Sequence, residues 1–373
     1  MTLEEIRNTI DQLDSQLLPL LTARLDCARE VAAFKKENNK PVLDPEREQQ
    51  LLDRIESRAG EYGKEIRMIY TSFLAASRSL QHGILGSGDE LRSLVQQAQQ
   101  SFPAVHKVAC QGAEGAYSHQ AAARLCPDGE ISFHPAFEDV FRALEERTAD
   151  IGILPVENSS AGSVAEVYDL ILKYRFFIVG AVPVRASHCF AVPKGVTLAQ
   201  VREVYSHPQA LAQCTGFVRQ NDFAAVPYSN TAAAAKMVAE QGGPVGVICS
   251  QMAAETYGLT ILAHDIQNVR NNYTRFVAVC RDPIIPADAQ KISLCFSLPH
   301  STGSLSNVLS RFSLNGLNLT KIESRPLPDK PFEYDFYLDF TGSVHEPHTI
   351  DLISSLQEEL PHFSFLGNYR EME

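Results

Sequence analysis

The sequence predicts a multidomain protein that combines an all-helical segment, an α/β segment and a small α+β segment. Up to about residue 81, apolar residues recur every three or four positions; from Lys107, short apolar runs alternate with helical runs. After Pro286 the predicted order is strand, helix, strand, strand, helix, strand. A chain of 373 residues is also too long for one hydrophobic core, so several domains are expected.

The first segment, residues 1–82, is predicted to hold three helices. Its first helix carries an apolar stripe formed by Leu3, Ile6, Ile10, Leu13, Leu17 and Leu21. Pro19 interrupts this stripe, and because the apolar spacing resumes after it, we expect a kink there and not a helix end. The stretches "EREQQLLDRIES" and "EIRMIYTSFLAASRSLQ" predict the other two helices.

Three further segments follow the helical one. Residues 83–104 read as a linker with one short polar helix, and residues 105–283 form the α/β segment. Residues 290–370 have the element order of a split βαβ, or ferredoxin-like, domain.

Composition excludes several classes of function. The net charge of −12 argues against a nucleic-acid partner, and no apolar run reaches membrane-spanning length. The eight cysteines form no C-x-x-C pair, which argues against zinc and against a disulfide framework. The N-terminus lacks the pattern of a signal peptide. We therefore expect a cytoplasmic protein without a metal, a cofactor or a membrane partner.

Polar side chains recur on predicted inner faces of the helical segment. Asp44, Arg47 and Glu48 share one face of the second helix, and Ser77 and Gln81 share one face of the third. On the first helix, Arg24 and Lys35 lie within roughly 20° of each other, whereas Arg7 is turned roughly 100° from Arg24. These charges form either a solvated face or a binding site, to which Arg7 contributes only from a partner chain.

The motifs "IRNTIDQLD", "LLTAR", "AAFKK", "PVLDPEREQQLL" and S-x-x-x-Q resemble, in order, the all-helical chorismate mutase family. The resemblance implies an intertwined dimer, or a higher homo-oligomer, that binds chorismate. It implies that Arg7, Arg24 and Arg47 hold the carboxylates, and that Glu48 takes the ring hydroxyl, beside Asp44 and Ser77. Lys35 and Gln81 are the implied catalytic donors to the ether oxygen.

Polar residues in the α/β segment follow predicted strands. In "LPVENSSAGSV", Glu157, Asn158, Ser159 and Ser160 come between a strand and a helix, which suits either a carboxylate or a capping turn. "VYSHPQALAQC" repeats the arrangement with Ser206, His207 and Gln213. In "NNYTRF", Thr274 either suits a strand start or faces an anionic ligand. "GAEG" is weak evidence for a phosphate loop.

These stretches, as an ordered set over roughly residues 105–282, resemble prephenate dehydratase. The resemblance implies two α/β lobes with the active site in their cleft, as in periplasmic binding proteins. It implies that Thr274 hydrogen-bonds the departing hydroxyl of prephenate and that Arg275 holds a carboxylate. Glu157 is the candidate acid, and Asn158, Ser159, Ser206 and Gln213 are the other implied contacts.

Two stretches of the last segment resemble the phenylalanine-binding motifs of ACT domains. "HSTGSLSNVL" carries Gly303, Ser304 and Leu305, with Ser304 where alanine is usual, and "NLTKIESRP" carries Glu323 and Ser324. Taken alone, each stretch also fits an ordinary capping turn or strand end. Together they imply a regulatory site for L-phenylalanine.

The whole chain therefore resembles the bifunctional chorismate mutase–prephenate dehydratase family. The alternative is a non-catalytic amino-acid sensor, in which the two-lobed domain and the ACT domain bind ligand and the helical segment dimerises. The donors Lys35 and Gln81, together with Thr274 and Arg275, favour the enzyme, because a sensor needs no groups directed at a transition state.

Overall fold

The computed structural model describes residues 1–86, 88–101, 107–327, 330 and 333–372. Parts of the predicted linker, residues 87 and 102–104, and the first two residues of the predicted α/β segment lie outside these ranges. Within the described residues, no helix is both long enough and apolar enough to cross a membrane.

Among the described residues of the first part of the chain there are four α-helices: α1 (Leu3–Glu37), α2 (Pro45–Arg58), α3 (Gly63–Leu85) and α4 (Asp89–Gln97), with a short 3₁₀ turn at Gly60–Tyr62. A capping box between Thr2 and Glu5 begins α1. The helix continues through Pro19, so the prediction that this proline does not end it is confirmed. Asp44 begins α2 by accepting a hydrogen bond from the backbone N–H of Arg47 at 3.1 Å.

Strands and helices alternate in the next part, as predicted. The elements are β1 (Lys107–Gln111), α5 (Tyr117–Leu125), β2 (Glu130–His134), α6 (Phe137–Glu145), β3 (Ile151–Asn158), β4 (Gly162–Ser163), α7 (Ala165–Tyr174), β5 (Phe177–Arg185), β6 (Cys189–Val192), β7 (Glu203–Ser206), α8 (Pro208–Gln213), α9 (Thr215–Gln220), β8 (Ala224–Pro227), α10 (Thr231–Gln241), β9 (Val245–Cys249), α11 (Gln251–Thr256), β10 (Thr260–Ala263) and β11 (Tyr273–Cys280).

The last part has the predicted order of a ferredoxin-like domain: β12 (Lys291–Ser297), α12 (Ser304–Leu314), β13 (Leu319–Pro326), β14 (Tyr334–Thr341), α13 (Pro347–Glu359) and β15 (Ser364–Glu371). We call residues 291–371 the C-terminal segment. Strands β13, β14 and β12 are neighbours in that order, and β13 pairs with β14 antiparallel.

The chain forms two compact units that do not coincide with the sequence segments. The first unit comprises Met1–Gln97 and Ile292–Phe365, and the second comprises Ala98–Lys291 and the chain from Leu366 onward. In the first unit, α3 packs against α1 and α2 on one side and against α12 and α13 of the C-terminal segment. The mutase-like helices and most of the C-terminal segment thus share one folded body.

Two lobes make up the second unit. One lobe contains a sheet in the order β15, β5, β11, β3, β1, β2, with β4 paired to β3, and the other contains a sheet in the order β10, β6, β9, β7, β8. Apolar residues of β1, β3, β5 and β11 form the core of the first lobe with α5. Strand β11 lies antiparallel between β3 and β5, with Thr274 opposite Asn158, so the "NNYTRF" stretch enters the middle of this sheet.

Candidate active sites

A cavity of about 520 Å³ lies among α1, α2 and α3 of the first unit, and we call it the helical pocket. Seven of the eight predicted chorismate-binding residues line it: Arg24, Lys35, Asp44, Arg47, Glu48, Ser77 and Gln81. Three separate helices supply these side chains, as the sequence pattern predicted. Arg7 does not line it, as its position on α1 also predicted.

The helical pocket is positively charged. Five basic side chains (Arg24, Lys35, Arg47, Arg54 and Arg78) and two acidic ones (Asp44 and Glu48) line it. Burial lowers the pKa of Lys35, and the nearby Asp44 and Glu48 carboxylates oppose this shift. Lys35 Nζ donates to the Val42 carbonyl, which holds the ammonium group at the pocket wall. Such a pocket suits a small ligand with two negative charges.

Gln81 presents an amide to the helical pocket from the buried face of α3. Its Nε2 donates to the Ser77 carbonyl at 3.3 Å and to Ser77 Oγ at 3.4 Å. Its Oε1 is buried and has no hydrogen-bond partner among the described residues. Donation to a ligand therefore requires the amide to leave Ser77 or to turn over.

Sequence reasoning missed Arg54 and Arg78. Arg78 contacts Glu48, the residue implied to take a ring hydroxyl, through Nη1. Helical spacing could have identified Arg78, because it is three residues from Gln81 and four from Leu74, and both of these residues line the pocket.

A second cavity, of about 230 Å³, lies between the two lobes of the second unit, and we call it the cleft cavity. It is lined by Gln111, Gly112, Ala116, Tyr117, Ser118, Pro155, Asn158, Ala186, His188, His207, Gln209, Ala210, Gln213, Asn230, Thr231, Asn272, Thr274 and Phe276. Among the residues that the structure describes, no arginine or lysine lines it. Amides, hydroxyl groups and helix ends are therefore the polar groups that this cavity offers to an anion.

Thr274 faces this cavity with its hydroxyl held from one side. Asn158 Nδ2 donates to Thr274 Oγ1 at 2.9 Å and to Asn272 Oδ1 at 2.8 Å. The Asn158 side chain is itself fixed, because its Oδ1 accepts from the backbone N–H groups of Ser160 and Ala161. Since Thr274 Oγ1 already accepts a hydrogen bond here, its own proton is available for a ligand in the cavity.

Tyr117, His188 and Gln213 form a second polar group at the cleft cavity. His188 Nε2 lies 2.9 Å from Gln213 Oε1, and its Nδ1 lies 3.0 Å from the Tyr117 hydroxyl. Burial lowers the pKa of His188, with the Gln213 hydrogen bond opposing the shift, which favours a neutral ring near pH 7. Gln213 was predicted, whereas Tyr117 and His188 were missed, although Tyr117 follows the "GAEG" stretch by two residues.

Helix starts border the cleft cavity. Tyr117 and Ser118 begin α5, Thr231 begins α10, and His207 caps α8 by accepting from the Gln209 N–H at 3.2 Å. The N–H groups at the first turns of α5 and α10 favour negative charge.

The "GAEG" loop allows close packing. A Cβ on Gly115 would lie 2.5 Å from Ala253 Cα, so glycine permits the close approach of α11.

Four of the predicted dehydratase-site residues, Glu157, Ser159, Ser206 and Arg275, do not line the cleft cavity. Ser206 is fully buried and donates to the Ile248 carbonyl at 2.6 Å, so it serves the fold. Ser159 accepts from the Tyr273 N–H at 3.0 Å outside the lining. Glu157 pairs in register with Ser163 of β4, because β3 turns into a short hairpin where the sequence suggested a helix start. The assignment of Glu157 as the acid loses its geometric basis.

Arg275 does not occupy the position that its predicted role, holding a substrate carboxylate, requires. Successive residues of a strand point to opposite faces, so Thr274 faces the cleft cavity and Arg275 does not. Arg275 Nη2 donates to the Tyr369 hydroxyl at 2.7 Å, and its Nε lies 2.6 Å from Glu371 Oε1. Lys291 binds the other oxygen of Glu371 at 2.7 Å. The residues at the end of β15 therefore engage the arginine that was predicted to hold a substrate carboxylate.

A third cavity, of about 720 Å³, lies in the C-terminal segment, and we call it the C-terminal cavity. Ser304 and Leu305 line it together with Leu298, Pro299, His300, Ser301, Thr302, Glu333, Tyr334 and Phe336. Gly303 caps α12 with φ of 85°, a conformation that favours glycine. Glu323 and Ser324 lie on β13 and are not among the lining residues, so only one of the two predicted motifs reaches this cavity.

Comparison with known proteins identifies two catalytic domain families in the chain. The family model for chorismate mutase type II matches residues 6–82, and that for prephenate dehydratase matches residues 108–284. A bifunctional chorismate mutase/prephenate dehydratase from Aquifex aeolicus is 30% identical over 380 residues, which cover 98% of this chain and 97% of that protein. The chain belongs to this bifunctional family. It is an enzyme with a chorismate mutase domain and a prephenate dehydratase domain, and the enzyme prediction is confirmed.

Other relatives cover about 70% of the chain. Arogenate dehydratase/prephenate dehydratase 2 from Arabidopsis thaliana is 39% identical over 275 residues, covering 70% of this chain and 72% of the relative. The prephenate dehydratase of Arthrobacter aurescens, solved in complex with L-Phe, is 28% identical with a TM-score of 0.65, covering 71% and 89%. GqqA, described as a novel type of quorum-quenching acylase, is 30% identical with a TM-score of 0.66, covering 72% and 98%.

Proposed function

We propose that the helical pocket rearranges chorismate and that the cleft cavity converts prephenate to phenylpyruvate. The observation that carries this proposal is the helical pocket, where seven of the eight residues implied by the family meet in a cationic cavity. The rearrangement breaks one C–O bond and forms one C–C bond without a nucleophile. Lys35 and Gln81 stabilise the charge on the ether oxygen, and the arginines fix the reactive conformer.

In the cleft cavity, the dehydratase reaction aromatises the ring. The bond to the ring carboxylate breaks, its electron pair enters the ring as CO₂ leaves, and the ring hydroxyl departs with one proton as water. Thr274 donates a hydrogen bond to that departing oxygen, supported by Asn158, which occupies the acceptor side of the hydroxyl. The N-terminal ends of α5 and α10 and the lining amides stabilise the carboxylates.

We propose further that the C-terminal segment is an ACT domain through which L-phenylalanine inhibits the dehydratase. Support comes from the βαββαβ order, from the cavity at the start of α12, and from a related dehydratase that was solved with L-Phe. The amino acid's carboxylate fits the first turn of α12, and its ring fits against Leu305. Inhibition requires phenylalanine to favour a less active state, with a coupling free energy of about 1–3 kcal/mol.

This proposal predicts that Leu305→Ala weakens inhibition of prephenate turnover by L-phenylalanine. Losing part of the apolar contact raises the half-inhibitory concentration roughly tenfold, while turnover without effector is unchanged. Leu314→Ala, at the exposed far end of α12, is the matched control and keeps wild-type inhibition. Undiminished inhibition of Leu305→Ala, competitive with prephenate, would place the effector in the cleft cavity instead.

We also propose that the mutase works as a dimer or a higher homo-oligomer. The apolar stripe of α1 is exposed, including Ile10, Leu13 and Leu17 at 50%, 59% and 50% exposure. Arg7 lies about 25 Å from Arg24 along the helix axis, which is too far for one pocket. A second copy covers the stripe and supplies its Arg7.

The dimer proposal makes a direct prediction for solution measurements. Sedimentation of the purified chain at micromolar concentration gives at least twice the mass of 41.2 kDa, and Leu13→Glu reduces that mass together with mutase activity. Lys36→Glu, a charge change at an exposed residue near the other end of α1, is the control and leaves the mass unchanged. A wild-type chain that is monomeric and fully active as a mutase contradicts the proposal.

A further inference from the structure

A buried ionic cluster joins the helical pocket to the C-terminal segment, entirely within the first compact unit. Its centre is Glu359, at the last residue of α13, whose side chain is only 6% exposed. Arg78 and His82 of α3 and Arg311 of α12 surround this carboxylate. Charged side chains are almost never buried without paired partners, and each charge of this cluster has at least one partner of opposite sign.

The contacts form a continuous chain of alternating charges. Glu48 of the helical pocket contacts Arg78 Nη1, and Arg78 Nε lies 3.3 Å from Glu359 Oε2. Arg311 Nη1 donates to Glu359 Oε2 at 2.8 Å, and His82 Nε2 lies 3.0 Å from Glu359 Oε1. Although burial favours the protonated acid, the His82 hydrogen bond and the two arginines hold the pKa of Glu359 below its usual range. The carboxylate is therefore ionised at neutral pH.

Arg78 is shared between two anionic partners in this chain of contacts. Glu48 lies on the pocket side, and Glu359 lies on the side of the C-terminal segment. Arg78 Nε makes no hydrogen bond among the described residues. Charge attraction alone therefore holds Arg78 Nε near the Glu359 carboxylate. Neutralising Glu359 would free the guanidinium to move toward the pocket, and Glu48 would move with it.

We propose that Glu359 of the C-terminal segment is a positioning residue of the chorismate mutase site, acting on Glu48 through Arg78. This inference rests on the proposed role of the helical pocket and on Glu48 as the partner of a substrate hydroxyl. It assigns part of the mutase machinery to a segment outside residues 6–82, the range matched by the mutase family model. The C-terminal segment thereby has a direct contact route to the mutase pocket.

The test is the steady-state kinetics of chorismate rearrangement by the full-length chain carrying Glu359→Gln. A displaced Glu48 loses its hydrogen bond to the bound substrate, so KM for chorismate rises roughly tenfold. This fold-change in KM is larger than any fold-change in kcat. Partial unfolding gives the opposite pattern, a lower kcat at unchanged KM, because it reduces only the number of active sites. Turnover of supplied prephenate, which depends on the second unit, stays at the wild-type value.

Two further variants separate positioning from packing. Asp351→Asn is the matched control on α13: it breaks the contact with Arg92 of α4 without touching the cluster, and mutase kinetics remain wild type. In an Arg78→Met background, Glu359→Gln changes KM no further, because the route through Arg78 is already cut. If Glu359→Gln does not fold, Glu359→Asp keeps the charge but withdraws it from Arg78, and a smaller rise in KM is expected.

The outcomes decide between the alternatives. A wild-type KM for chorismate in folded Glu359→Gln or Glu359→Asp overturns the inference. The inference also fails if Glu359→Gln changes KM equally in the wild-type and Arg78→Met backgrounds. The proposed role of the helical pocket fails separately, through full mutase activity of Lys35→Ala. Loss of activity in Lys35→Ala with unchanged kinetics in Glu359→Gln would reject the positioning role alone.

Discussion

Replacing Lys35 with alanine is expected to lower the mutase kcat by roughly 100- to 1,000-fold, the usual cost of removing one preorganised donor to a developing negative charge. Lys35 lines the helical pocket, and its ammonium group is held at the pocket wall by the Val42 carbonyl. The measurement is the initial rate of chorismate loss at saturating substrate. Turnover of supplied prephenate is expected to remain at the wild-type value.

Lys36→Ala is the matched control for this change. It removes an identical side chain from the next position of α1, where the lysine is exposed and outside the helical pocket. Its mutase kinetics should equal those of the wild type. If Lys35→Ala and Lys36→Ala behaved alike, the helical pocket would not be the site of rearrangement.

The pH dependence of the mutase reaction tests the same ammonium group. Burial lowers the pKa of Lys35, so the cation loses its proton at a lower pH than a free lysine does. The cation is the active form, and kcat/KM therefore falls on the alkaline side, roughly tenfold per pH unit above that pKa. A mutase profile that stays level up to the usual pKa of lysine would contradict the assignment.

Thr274→Val is expected to lower dehydratase kcat by roughly 100-fold or more, the usual range for proton-transfer assistance. The change keeps the β-branched shape within β11 and removes only the hydroxyl that faces the cleft cavity. It also leaves Asn158 without one acceptor, although Asn272 Oδ1 remains at 2.8 Å. Phenylpyruvate formation from supplied prephenate is the measurement.

Thr274→Ser separates chemistry from packing at this position. Serine restores the hydroxyl and lacks only the methyl group, so much of the dehydratase activity should return. Equal thermal unfolding midpoints for the two variants exclude a folding defect. A valine variant with wild-type turnover would remove Thr274 from the mechanism and leave its hydroxyl as a structural acceptor for Asn158.

Local patterns were sufficient to predict most elements and the helical pocket. Helical spacing fixes which residues share a face, so Asp44, Arg47 and Glu48 converge as expected. Helical spacing also places Arg78 on the pocket face, but it does not predict the contact of Arg78 with Glu359, which is 281 positions away in the sequence. Spacing rules carry no information about such a distant partner.

The cleft cavity was harder to predict because strands place neighbouring residues on opposite faces. The motif "TRF" suggested two ligands side by side, yet only Thr274 faces the cavity and Arg275 contacts Tyr369 and Glu371. The hairpin of β3 and β4 likewise removed Glu157 from the predicted helix start. Sequence patterns located the strand ends correctly, but the face and the local turn decided which side chains reach a ligand.

The most direct test of two separate catalytic sites is a product analysis with chorismate as the sole substrate. Wild-type protein should convert chorismate to phenylpyruvate, Thr274→Val should accumulate prephenate, and Lys35→Ala should leave chorismate unconsumed while still dehydrating added prephenate. Prephenate accumulation by Thr274→Val is the decisive result, because it requires an intact mutase beside a disabled dehydratase. Loss of both reactions in either folded variant would contradict the account and indicate one shared site.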